Sequence, residues 1–157
     1  MRLEGVRVEM PTNNPIVLLR ETNGQRRVLP IFIGPVEATA IAFALQGVVT
    51  QRPMTHDLMK DLLGALGVAV DRVVITELRD RTFYAEIEMT RDGSACKVSS
   101  RPSDAIALAA RLGTPIFADE SVLDEAAVSV SEEDEEEDEV ERFREFLEGV
   151  NPEDFAS

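Results

Sequence analysis

Two strand-to-helix turns of the same build constrain this chain more than any other feature of its sequence. Leu29-Pro-Ile-Phe-Ile-Gly-Pro-Val-Glu37 leads into an apolar run over 38–45, and Ser99-Ser-Arg-Pro-Ser-Asp104 leads into another over 105–112. In each, a proline takes the first helical position, where its missing N–H is no loss. An acid follows two residues later and faces the positive end of the helix dipole. Both helices are apolar nearly all round, which predicts that they are buried. Their acidic starts then lie at the edge of a core, where ionisable groups are positioned for chemistry.

The remaining pattern predicts an α+β fold: one domain of mostly antiparallel strands, two buried apolar helices and one amphipathic helix, followed by an acidic C-terminal tail. Residues 6–10, 16–19 and 27–33 read as three antiparallel strands, with Thr22-Asn-Gly24 as a hairpin turn. Thr55 is expected to cap a helix in which Leu58, Met59, Leu62, Leu63 and Leu66 recur at helical spacing, with Gly67 as its stop. Residues 68–78 and 81–89 form a second hairpin around Arg79-Asp80, 96–98 a short strand, and 115–118 one more. Regions 29–47 and 95–112 match loosely as an internal repeat.

Charge divides the chain. Of a net −14, residues 119–157 carry −15, from 17 acids and two arginines, and the 118 residues before them carry +1. Spread evenly, this charge would make a poor partner for phosphate, but the acidity belongs to the tail and leaves the domain neutral. The domain is assigned to 1–127, an acidic disordered linker to 128–139, a short amphipathic helix to 140–150 and a disordered end to 151–157. Within that helix Val140, Phe143, Phe146, Leu147 and Val150 share one face. The tail is expected to contact its own domain or another protein. The single cysteine, Cys96, permits no internal disulfide. With no signal peptide and no run long enough to cross a bilayer, the expectation is a cytoplasmic protein, not a membrane one.

The candidate chemistry starts at the twin acids. Glu37 and Asp104 stand at the third helical position, where an acid commonly caps backbone N–H groups. If the two converge, they are also ligands for Mg²⁺ or Mn²⁺. Arg101 sits at the N-cap, where its charge opposes the dipole. Either a bound phosphate or an ion pair with Glu37, Asp57 or Asp104 compensates it. His56, the only histidine, is the natural general acid or base, with Asp57 beside it and Arg52 as a second cation for phosphate. Arg72, Arg79, Arg81, Arg91 and Lys97 lie in or beside the second hairpin as a candidate basic face, with Phe83 and Tyr84 as candidate stacking surfaces. Alternation should put one of the two aromatics in the core.

Together with Arg52-Pro-Met-Thr-His-Asp57 and Arg81-Thr-Phe-Tyr-Ala85, the two turns resemble the bifunctional nuclease domain family of bacteria and plants, most specifically in Arg101-Pro-Ser-Asp-Ala-Ile106. The likeness runs over roughly 1–125. It implies a single α+β domain that hydrolyses DNA and RNA, with nucleic acid as partner; the divalent metal cofactor, Mg²⁺ or Mn²⁺, is the expectation from the paired carboxylates. Carried over residue by residue, it assigns Glu37, His56, Asp57 and Asp104 to catalysis, Arg52, Arg101 and Ser103 to phosphate, and Glu37 with Asp104 to metal. Ser99 departs from the pattern, since many members have an acid there. The alternative function is a non-catalytic module binding phosphate or a nucleotide. Apolar helices and strands favour a homo-oligomer, a dimer first.

Overall fold

Polarity alternation and turn chemistry set the strand order of the first sheet. The computed structural model describes residues 1–9 and 12–130, so the assignments made above to 131–157 lie outside the described residues. Strands β1 (Arg2–Glu9), β2 (Asn14–Arg20) and β3 (Val28–Phe32) form an antiparallel sheet in sequence order. Helices α1 (Pro35–Leu45) and α2 (Thr55–Ala65) follow, then strands β4 (Ala69–Arg79), β5 (Thr82–Arg91) and β6 (Ser94–Ser100), helix α3 (Pro102–Leu112), strand β7 (Ile116–Ala118) and helix α4 (Glu120–Ala126). The second sheet runs β6-β5-β4-β7, antiparallel except for the β4–β7 pair. The chain is thus one α+β domain, with two sheets and the helices sharing one core that includes Val17, Leu29, Ile41, Ile75, Ile106 and Leu108.

Three local readings are corrected. The strand expected over 96–98 is the longer β6, because Asp92 (φ 49°) and Gly93 (φ 77°) make the tight turn that joins it to β5. Met54 is the N-cap of α2 and Thr55 its first helical residue; Asp57 Oδ2 accepts from the Met54 N–H at 3.1 Å. Helix α4, which the acidic composition hid, buries Val122 and Leu123.

Helix α3 is buried along most of its length and ends at Gly113 in the left-handed conformation (φ 67°), which a Cβ would strain. Helix α1 buries Ala38 and Ile41 and turns Val36 outward, 79% exposed. Burial in α2 is likewise one-sided: Met59 and Leu63 pack on the core, whereas Leu58, Leu62 and Leu66 are exposed.

Arg27, a buried cation in this fold, is hydrogen-bonded to Glu21 at 2.9 Å, Glu120 at 2.6 Å and Asp124 at 3.0 Å. Three acids surround one guanidinium, and the hydrogen bonds to Glu21 and then Glu120 outweigh its desolvation and push its pKa up. Beside it, Val28 and Val128 exchange backbone hydrogen bonds of 2.8 Å, fixing the end of the domain to β3.

Candidate functional site

The two look-alike turns converge. Gly34 and Arg101 are the N-caps of α1 and α3, both extended (φ −75°, ψ 159° and φ −68°, ψ 143°), and each is followed by proline. The acid in each first turn then points back toward the helix start. α1 packs on α3, and Arg101 spans the two turns. Its Nε donates to Asp104 Oδ2 at 2.9 Å and its Nη1 to Glu37 Oε1 at 3.2 Å. Of the two readings of Arg101, the ion pair is therefore present, with Glu37 and Asp104 as partners and not Asp57. The guanidinium still stands 65% exposed over acids that are largely covered.

Asp104 has a second partner beneath it. His56 Nε2 lies 3.0 Å from Asp104 Oδ1. An ionised carboxylate only accepts, so Nε2 carries the proton in this pair. Burial pushes the Asp104 carboxyl up, but hydrogen bonds from His56 and Arg101 outweigh it and hold the group below the usual carboxylate range. Asp104 is thus an anion at neutral pH. His56 itself is buried, so it meets Asp104 from the protein side and not from the solvent.

The other expected residues are placed differently. Asp57 turns away from His56 to Arg111, whose Nε donates at 2.8 Å, and that bond holds its carboxyl low. Arg111 also donates to the Ala107 carbonyl at 2.9 Å and is itself covered, so it pins the first turn of α2 to α3. Ser103 is buried in the first turn of α3. Arg52 is exposed in the connection ahead of α2 and makes no ion pair among the described residues.

Two contributors escaped the sequence reading. Gly34 is needed because a Cβ there would come within 2.2 Å of Glu37 Oε2; glycine directly before the helix-opening proline is the signal that pointed to it. Arg111 is a cation in the last turn of α3, which reads equally well as a helix-dipole partner.

The acids expected to hold Mg²⁺ or Mn²⁺ are already spanned by Arg101. Among the described residues no group of three His, Cys, Asp or Glu side chains is arranged to hold a metal ion. A cation at Glu37 and Asp104 would have to displace the guanidinium, so the donor set as built does not fit one. The hairpin is not a basic face either. Arg72 pairs with Glu88, Lys97 with Glu88 at 3.3 Å and Arg79 with Glu77 at 3.8 Å, so the sheet carries a charge-balanced ladder. Arg79 lies over the Tyr84 ring at 4.7 Å, and Phe83 packs against the core, as alternation requires.

A family model described as the bifunctional nuclease domain matches residues 17–131, which include every residue named in the site. An uncharacterised protein of Mycobacterium tuberculosis (strain H37Rv) is 49% identical over 164 residues, covering 100% of this chain and 98% of its own length. Bifunctional nuclease 1 of Arabidopsis thaliana is 27% identical over 106 residues, 66% of this chain and 33% of its own length. Bifunctional nuclease 2 of Oryza sativa subsp. japonica is 27% identical over 116 residues, 72% of this chain and 36% of its own length. The chain thus spans about a third of the plant proteins. No described helix is long and apolar enough to cross a membrane.

Proposed function

Because the chain belongs to the bifunctional nuclease domain family, we propose that it hydrolyses phosphodiester bonds of DNA or RNA at the cluster Glu37–Arg101–Asp104–His56. One observation carries this reading: an exposed guanidinium is held over two carboxylates that come from two helix starts, one of them backed by the histidine. Arg101 has donors beyond those its two acids use, in a fork that suits phosphate. As phosphate oxygens draw it outward, Glu37 and Asp104 are uncovered toward the same phosphorus. Glu37 then takes a proton from an attacking water as the water oxygen bonds to phosphorus and the bond from phosphorus to the sugar oxygen breaks; the leaving oxygen takes a proton from solvent, to which Glu37 returns its own. Asp104, held ionised, orients the water, and buried His56 keeps Asp104 in place. The steps use the side chains alone; a divalent metal that takes the place of the guanidinium once Arg101 has moved is a separate proposal, which chelation tests.

Purified full-length protein, incubated with single-stranded DNA and RNA with and without EDTA, tests the activity and its need for metal together. Arg101→Ala should abolish turnover and flatten the salt dependence of binding by about one phosphate contact. A melting temperature that falls while binding stays unchanged would reduce Arg101 to a structural tie. The second reading, a module that binds phosphate or a nucleotide without turnover, is favoured by the burial of His56. Saturable binding by a protein that leaves every substrate intact would establish it.

A further inference from the structure

Helix α2 carries an apolar stripe that the described fold does not cover. Met54, Leu58, Leu62 and Leu66 recur every four residues and are 45%, 50%, 53% and 57% exposed. Leu58 to Leu66 extends about 12 Å along a helix. Four large side chains on one line, open to water, form a contiguous patch and not the scattered exposure that is ordinary. A complement lies in the same chain. Val140, Phe143, Phe146, Leu147 and Val150 follow helical spacing, over about 15 Å of helix. A helix that short needs a surface to form against.

We infer that the segment 140–150 docks on the Leu58–Leu62–Leu66 stripe of its own chain. Reach permits it. The description ends at Val130, just after Val128 is fixed to β3. The nine residues 131–139 span up to about 30 Å extended. A domain of this size has a radius of gyration of about 14 Å, so most of its surface is within range. Tethering holds the segment at an effective concentration in the millimolar range for a short linker, above what a second copy or a separate partner supplies in dilute solution.

Charge agrees with that placement. Eight acids at 132–139 immediately precede the segment. The stripe begins beside the first turn of α2, near exposed Arg52, which makes no ion pair among the described residues. With the segment parallel to α2, that acidic run lies beside Arg52, and the opposite charges favour the docked state.

Disulfide trapping in the full chain tests the docking without reference to activity. In a Cys96→Ser background, Leu62→Cys is combined with Phe146→Cys, or with Glu145→Cys on the opposite face of the segment. Both domain positions are exposed, and circular dichroism checks the fold of each variant. At low micromolar protein, docking predicts a within-chain disulfide that forms about tenfold faster at Phe146→Cys than at Glu145→Cys. Leu66→Cys with Leu147→Cys gives a second pair with the same expectation. Equal rates, or no disulfide in either pair, would overturn the inference. Disulfides between chains would overturn it in favour of a second copy on the stripe.

Discussion

The starts of α1 and α3 share a recipe, yet the two helices do different work. Each has an extended N-cap, a proline and then an acid in the first turn. Helix α3 lies between the second sheet and the helices α1 and α2, and buries seven of its residues, whereas α1 buries two. The N-caps differ as well. Arg101 supplies a cation that reaches both acids, and Gly34 supplies only the space into which Glu37 folds back. Local sequence fixes where a helix begins and where its acid points. The packing around it decides whether that start is core or rim.

Removing side chains at the two helices should break the symmetry most sharply. Leu108→Ala, fully buried in α3, should cost about 2–5 kcal/mol in chemical denaturation. Val36→Ala, exposed in α1, should cost less than about 0.5 kcal/mol. Comparable losses would mean that the exposed face of α1 is covered in solution.

In the proposed reaction the acids should also be unequal. Asp104→Asn disturbs the contacts of both Arg101 and His56 and should lower kcat about 100-fold, against about tenfold for Glu37→Gln, which disturbs Arg101 alone. Equal effects in steady-state assays would deny His56 any part in the difference. Gly34→Ala should act like Glu37→Gln, with about a tenfold drop in activity and little change in melting temperature, because the new Cβ displaces a carboxylate and not the backbone.

The smallest effect is acid sensitivity. Asp57 and Asp104 have folded-state pKa values below those of the unfolded chain. The stability they contribute is present above an unfolded pKa of about 4 and is lost as pH falls through the lower folded values. Melting temperatures should therefore be flat near neutrality and fall below about pH 4. Asp57→Asn should flatten part of that fall; an unchanged acid limb would mean that the Arg111 pair contributes nothing to it.

Much of this was legible in the sequence because it depends on neighbours in the chain. Prolines and acids marked α1 and α3, alternation marked the strands, and spacing found the amphipathic α2. Asp92-Gly93 carried the turn into β6 as well, a signal stronger than the short apolar stretch over 96–98 from which that strand was read. Sequence also placed Glu37, His56, Arg101 and Asp104 as candidates. It left the partner of Arg101 open among three acids, because an ion pair spanning 64 residues leaves no trace in local spacing. Tertiary structure decided that choice, turned Asp57 toward Arg111, balanced the charges of the hairpin and set His56 beneath Asp104. Which face of α2 meets the core was also beyond the sequence. Five apolar residues on one helix exceed what one neighbour covers, and only the position of α3 determines that Met59 and Leu63 turn inward while the leucine stripe faces out.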